Sequence, residues 1–303
     1  MTEEHLHQLQ AELDGEFHYD ALPRMLYATD ASVYRERPLA VALPRTVADL
    51  QRLIHFAWKH RTSVIPRAAG TSLAGQCVGS GIVVDISKYF NQVLEVNERE
   101  GWVRVQPGVI RDELNEHLRP YGLFFGPNTS TANRAMIGGM VGNNSCGTTS
   151  IVYGSTRDHV LELHAILSDG SEAVFHDLTP EAFREKLQLD TLEGKLYKHI
   201  YEALSPPATQ RRIRAAYPKA SIHRRNTGYA VDLLLDRQPF NPEGAPFSFC
   251  PFLCGSEGTL AFITEIKLHV DPAPPPEVVV VCAHCESVDE SMRATVAAMQ
   301  HAP

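Results

Sequence analysis

Between Gly126 and Val160 the chain reads GPNTSTANRAMIGGMVGNNSCGTTSIVYGSTRDHV, a stretch rich in Gly, Asn, Ser and Thr that lies between ordinary amphipathic segments. Such a run offers too few apolar side chains, at either the helical or the strand period, to bury a face of its own. Polar segments of this length inside compact domains are usually functional. The rest of the fold must therefore supply apolar elements on both sides that hold this stretch in place.

Those elements are legible. Residues 2–14 have a helical pattern, while Ala21 to Glu36 contain little periodicity and predict an extended arm over the domain surface. LAVALPRT predicts a strand and turn; Thr46 then caps a helix, VADLQRLIHFAWKH, with Leu50, Leu53, Ile54 and Ala57 on one stripe. TSVIPR and IVVDIS predict strands on either side of a small-residue loop. VLEVNEREGWVRVQPG predicts two strands joined by a charged turn, and VIRDELNEHLRPYG a helix closed by Gly122. Beyond the polar stretch, HVLELHAILSDGSEAVF predicts a hairpin turning at Asp169-Gly170, residues 180–216 turn charged and helical, and CGSEGTLAFITEIKLHV returns to loop and strand.

Asp271-Pro-Ala-Pro-Pro-Pro is a stiff joint that neither a helix nor a central strand can absorb, which sets a boundary after residue 270. The expected organisation is a helix and arm over 1–36, a main domain over 37–270, and the start of another domain over 271–303. That last part predicts one strand, EVVVVCAHC, and one helix, VDESMRATVAAMQ. A single such unit cannot bury both its apolar faces, so the chain is expected to stop before that domain is complete.

With 44% hydrophobic residues among 303 the chain can bury a real core, and a formal charge of −8 argues against broad binding to phosphate backbones, so no nucleic-acid partner is expected. The opening MTEEHLHQLQ has no apolar run, and no apolar segment approaches the roughly 20 residues of a spanning helix, so a cytoplasmic protein without a membrane span is expected. Six scattered cysteines are expected to be free thiols. Cys282 and Cys285 have metal-ligand spacing, but no second pair accompanies them, and no metal site is assigned.

Chemistry shows first in Pro66-Arg67-Ala68-Ala69-Gly70-Thr71-Ser72-Leu73-Ala74-Gly75-Gln76. Small residues let successive main-chain N–H groups converge, Gly70 and Gly75 permit positive φ, and the hydroxyls of Thr71 and Ser72 add donors. This suits a phosphate or pyrophosphate; an ordinary tight turn is the other reading. Gly138-Gly139 and Asn143-Asn144-Ser145-Cys146-Gly147 offer a second set of donors, and two such loops suggest one large ligand. Neither loop has the spacing of a dinucleotide-binding G-x-G-x-x-G or of a Walker loop.

Taken together, YATDASVY, PRAAGTSLAGQ, the PGV beginning at Pro107, the Gly126–Val160 stretch, NTGY at Asn226 to Tyr229 and GSEGTLAFITEI resemble the FAD-linked oxidases of the vanillyl-alcohol oxidase type, in the glycolate oxidase and D-lactate or D-2-hydroxyglutarate dehydrogenase branch. The resemblance covers roughly Tyr27 to Val270. It implies an α+β fold, a PCMH-type FAD-binding domain of two α/β subdomains around extended FAD, followed by the start of a cap domain. It implicates Pro66, Arg67, Ala68, Ala69, Gly70, Thr71, Ser72 and Gln76 in wrapping the pyrophosphate. Gly138, Gly139, Gly142, Asn143, Asn144, Ser145 and Gly147 would line the pyrophosphate and isoalloxazine. Tyr153, Gly154, Gly258 and Ile263 would bracket the ribityl chain and adenine, and Pro107, Gly108, Pro127, Asn128, Thr129 and Ser130 would complete the cleft. Ala68 and Ala69 stand where relatives often carry glycine. Thr71 stands where covalently flavinylated relatives carry histidine, which implies a non-covalent flavin.

By the same resemblance the substrate is a small 2-hydroxy acid oxidised by hydride transfer to FAD, with electrons leaving to an acceptor the sequence does not name. The base and carboxylate-binding arginines are expected beyond the proline joint, so this chain alone is expected to be inactive and no catalytic residue is assigned in it. Arg224 and Arg225, beside NTGY, read either as solvated basic residues or as an attraction for an anionic substrate. The histidines His55, His117 and His164 read as structural. The competing functions are a flavin-binding module without turnover, or the flavin domain of a UDP-sugar reductase or a molybdenum hydroxylase; GSEGTL with FITEI and NTGY favour the 2-hydroxy-acid group.

Overall fold

The computed structural model describes residues 2–301 except 220, 223 and 227, so Thr227 of the NTGY motif and the terminal Pro303 lie outside the described residues. Among the described residues there are two main sheets and a two-stranded ribbon. The first comprises β1 (Glu16–His18), β2 (Ala40–Leu43), β3 (Val64–Arg67) and β4 (Ile82–Asp85), in the order β1-β2-β4-β3. Here β2, β4 and β3 are parallel and β1 joins the edge antiparallel to β2. Later strands are β5 (Val93–Asn97), β6 (Trp102–Val105), β7 (Leu123–Phe124), β8 (Val160–Ile166), β9 (Glu172–Phe175), β10 (Phe262–His269) and β11 (Asp271–Pro272). The second sheet has the order β5-β6-β10-β8-β9 and is antiparallel throughout, and β11 pairs with β7 in a small ribbon.

The two sheets differ in pattern as their surroundings require. All four residues of β4 are buried, as a parallel strand covered on both faces must be. Along β10, Phe262, Thr264, Ile266 and Leu268 are buried while their neighbours are only partly so, the alternation of a strand with one face on a core. The helix Val47–His60 begins at Thr46, whose hydroxyl accepts from the Asp49 N–H, and buries Leu50, Leu53, Ile54 and Ala57. Leu50, Leu53 and Ile54 pack with Ala40, Ala42, Ile82 and Val84 of the first sheet. A second core forms around Val103, Val105, Leu114, Ile137, Met140, Ile266 and Leu268. Ile166 and Phe262 come from the second sheet but pack in the first core, so the two layers share a seam.

The fold is α+β, and it departs from expectation in three places. The segment expected as an extended arm contains the helix Ala21–Leu26, and the strand before it, β1, extends the first sheet. The Gly126–Val160 stretch contains three short helices, Ile137–Asn143, Ser150–Tyr153 and Thr156–His159. Tertiary packing overrides the weak propensity of its glycines, because Ile137, Met140 and Val141 can be buried on one side. Thirdly, the strand expected at EVVVVCAHC is absent: Val278 to Val281 are at least 80% exposed and, among the described residues, pair with nothing. A strand needs a neighbouring ladder to be stable, and none is in reach of these valines. The helix expected after it does form, over Val288–Met299.

Candidate functional site

Strand β3 lies beside β4 and runs directly into the small-residue loop, so the first sheet delivers that loop at the carboxyl ends of its parallel strands, where α/β sheets bind ligands. Gly70 takes φ +67° there and Gly75 +73°, conformations that only glycine adopts without strain. Ser72 folds the loop on itself, its hydroxyl accepting from the N–H groups of Ala74 (3.1 Å) and Gln76 (3.4 Å). The N–H groups of Ala69, Gly70, Thr71, Ser72 and Leu73 meet no acceptor among the described residues.

These residues face a cavity of about 650 Å³. Its lining includes Pro66, Arg67, Ala68, Ala69, Gly70, Thr71, Ser72 and Gln76 from the first loop and Gly138, Gly139, Gly142, Asn143 and Ser145 from the second, together with Pro107, Thr129, Ser130, Gly258 and Ile263. The two loops are tied together: Gln76 Nε2 donates to Asn143 Oδ1 at 3.0 Å, and Asn143 Nδ2 to Ser145 Oγ at 3.0 Å. A Cβ on Gly138 would stand 2.4 Å from Pro107 Cβ, so glycine is what lets that helix approach. A Cβ on Gly142 would meet nothing nearer than 3.9 Å, while its carbonyl accepts from the Glu257 N–H at 2.8 Å and so fixes that part of the wall.

Seven of the residues expected at the site do not line this cavity. Gly108 is pressed between the carbonyls of Phe90 and Ile86, where a Cβ would lie 2.6 and 2.8 Å from oxygen, and so supports Pro107 from behind. The Pro127 carbonyl accepts from Arg111 Nε at 3.1 Å. Asn128 and Gly147 are packed against each other, with a Cβ on Gly147 falling 1.4 Å from the Asn128 oxygen. The Tyr153 ring meets Phe124 edge-on at 4.9 Å, and Gly154, at φ +72°, lies over Asp158. Asn144 is buried, bonded to Arg157 and Asn226. Polar residues in a loop-rich sequence look alike whether they face a ligand or brace the residues that do.

The cavity also has walls that the sequence reading did not assign. Arg134 and Glu257 supply charge, Asn226 an amide, and Met136, Phe262 and Cys77 apolar surface. Arg134 is one of only two arginines between Gly126 and Val160, and that isolation was a usable signal. Glu257 takes φ +56°, unusual for a residue with a side chain, which no sequence pattern announced. Burial pushes the Cys77 thiol up to about 11, keeping it protonated near neutral pH. Arg67 is held in place, donating to the Thr29 carbonyl at 2.9 Å with its guanidinium over the Tyr27 ring.

The basic pair beside NTGY divides. Arg225 forms an ion pair with Asp232, both nearly buried, whereas Arg224 Nε points at Cys146 Sγ, 3.1 Å away, on the cavity wall. His55 bonds the Asp169 carbonyl and His164 lies among Glu162, Arg104 and Glu265, away from the cavity lining. All six cysteines are free, and among the described residues no group of three His, Cys, Asp or Glu side chains converges as a metal site would require. No helix among the described residues is long and apolar enough to cross a membrane.

A large groove with unpaired main-chain donors on one wall suits an extended anionic cofactor, and Thr129 adds a buried hydroxyl with no partner of its own. Residues 38–175 match the family described as "FAD binding domain". The chain is 39% identical over 254 residues to the D-2-hydroxyglutarate dehydrogenase of Escherichia coli (strain K12), covering 83% of this chain and 24% of that protein. It is 36% identical over 149 residues to the glycolate oxidase subunit GlcD of Bacillus subtilis (strain 168), covering 48% and 32%. Among solved structures, an alkyldihydroxyacetonephosphate synthase superposes with a TM-score of 0.61 at 19% identity, covering 90% of this chain and 41% of the other, which shows a shared fold. The chain thus spans about a quarter to a third of the length of these curated relatives.

Proposed function

We propose, from the match of residues 38–175 to the FAD-binding domain family, that the cavity lined by the two loops holds FAD without a covalent bond and serves the oxidation of a D-2-hydroxy acid. The observation that carries the reading is the row of free N–H groups from Ala69 to Leu73 beside Gly70. A pyrophosphate supplies the acceptors that these unpaired amides lack, and it does so with negative charge, which strengthens each bond. Most residues expected to hold FAD line this cavity, while Gly108, Pro127, Asn128, Asn144, Gly147, Tyr153 and Gly154 are assigned to supporting it from behind.

When bound, the flavin supplies a two-electron acceptor for the hydride of the substrate carbon. The chain's own residues hold and orient it: the first loop fixes the phosphates, and Met136, Ile263 and Phe262 give apolar surface that keeps water away. Among the described residues that line the cavity there is no histidine or lysine, and Glu257 is the one carboxylate. We therefore assign the base that deprotonates the hydroxyl, and the cations that hold the substrate carboxylate, to the part of the relatives' length that this chain does not span. The substrate class rests on the likeness to D-2-hydroxyglutarate dehydrogenases and a glycolate oxidase subunit and on the shared motifs. We also propose a boundary after residue 270, with residues 1–36 joined to the main domain through β1 and the first core.

Titrating FAD into the purified chain should quench flavin fluorescence to saturation and give a yellow protein. Acid or heat precipitation should then free the flavin, because Thr71 offers no imidazole for a covalent link. Fluorescence that never quenches would overturn the cofactor assignment, and colour that stays with the pellet would overturn the non-covalent one.

A further inference from the structure

We propose that Asn144 is a positioning residue that locks the side-chain amide of Asn226, so that Asn226 presents an N–H donor, and not a carbonyl, to the flavin in the cavity. The inference rests on the assignment of FAD to this cavity and goes on to name a polarity within it.

Asn144 follows the helix Ile137–Asn143 with φ +48° and is 2% exposed. Its Oδ1 accepts from the Arg157 main-chain N–H at 2.9 Å, and since that group can only donate, the oxygen of the Asn144 amide is identified. The other end is then Nδ2, and it donates to Asn226 Oδ1 at 2.7 Å. The Asn144 main-chain carbonyl can only accept, and it takes Asn226 Nδ2 at 3.3 Å. Both contacts demand the same orientation of the Asn226 amide. Turning it over would set two NH₂ groups face to face and two oxygens face to face.

Asn226 Nδ2 carries two hydrogens, and the Asn144 carbonyl uses one of them. The other belongs to a side chain that lines the cavity. An unlocked amide offers a ligand oxygen or nitrogen equally; this one offers the donor to a hydrogen-bond acceptor of the flavin, whether a ring carbonyl, an unprotonated ring nitrogen or a phosphate oxygen. Holding the segment down does not depend on this pair. Arg225 is anchored to Asp232, Tyr229 Oη lies 2.7 Å from Thr259 Oγ1, and Arg224 contacts Cys146. What Asn144 adds is the direction in which the amide points.

The test measures FAD dissociation constants for the 303-residue chain and for Asn226→Ala, Asn144→Gly, the double variant and Asn226→Asp, with apoprotein Tm alongside. Glycine keeps the left-handed backbone at 144. Each of the first two should weaken FAD about tenfold, the worth of one hydrogen bond, and the double should be no weaker than Asn226→Ala alone. Asn226→Asp should bind FAD more weakly than Asn226→Ala, because an oxygen then faces an acceptor. This last variant leaves buried Asn144 untouched and stands even if Asn144→Gly folds poorly. The proposal is overturned if Asn144→Gly costs the same factor in both backgrounds, or if Asn226→Asp binds as well as Asn226→Ala. Wild-type chain that fails to bind FAD at all would sink the cofactor assignment instead, a separate result.

Discussion

Ala69 to Leu73 leave five main-chain N–H groups waiting for acceptors at the point where Gly70 turns the chain. Groups of this kind read charge and not side-chain identity, so the site is most sensitive to a misplaced anion. Gly139 lines the same cavity, and a Cβ there would already lie 3.2 Å from Ala68 Cβ. Gly139→Glu should therefore reduce FAD affinity at least a hundredfold while the apoprotein stays folded, since the new carboxylate opposes a pyrophosphate where donors are wanted. Equilibrium dialysis with FAD, using exposed Glu98→Lys as control, checks this; equal affinities for the two would remove the loop from the site. At this scale the sequence revealed residue types better than directions. Ser72 and Gln76 reach the cavity as expected, whereas Asn144, equally polar, turns into the protein and braces it, and Asn128 meets Gly147 through its main chain outside the cavity lining.

Among elements, the N-terminal region was the hardest to anticipate, because β1 is three residues long and gains its stability from neighbours. Glu16 in that strand contacts Lys88 and accepts from Tyr89 Oη at 2.6 Å, and the Lys88 contact foremost, with the Tyr89 bond, brings its carboxyl down to about 2 from 4.5. A depressed folded-state pKa means stability that is complete above 4.5 and lost as pH falls toward 2. Wild type and Glu16→Gln should therefore differ in Tm by a few degrees at pH 7 and converge by pH 2; a gap independent of pH would show that the carboxylate charge contributes nothing. Longer elements were legible because their periods are strong: the stripe of Val47–His60, the alternation of β10, the Asp169-Gly170 turn. The valines at 278–281 carry an equally good strand pattern without forming one, since pattern states what a segment can pair with and not whether a partner is within reach.

For the whole molecule, the division between holding a flavin and using it leads to a measurable contrast. Mixed anaerobically with D- and L-2-hydroxy acids, the FAD-loaded chain should bleach its flavin band slowly and without preference for either hand, at a rate at least a thousandfold below that of a full-length relative. The lost orientation alone accounts for that, since positioning supplies about 7–11 kcal/mol of barrier lowering. Fast, stereospecific bleaching would place a complete substrate site among Arg134, Arg224, Glu257 and their neighbours. The α+β architecture was legible through the family that the motifs resemble, but the seam between its halves was not, because it depends on two side chains distant in sequence. Ile166 and Phe262 leave the second sheet to pack in the core of the first. Neither half can lose its packing without exposing part of the other's, so calorimetry of the apoprotein should record one endotherm, with equal calorimetric and van't Hoff enthalpies, in place of two. The groove that receives the cofactor is thus built across a joint that does not open by itself, and heat should release flavin and melt the protein in the same step.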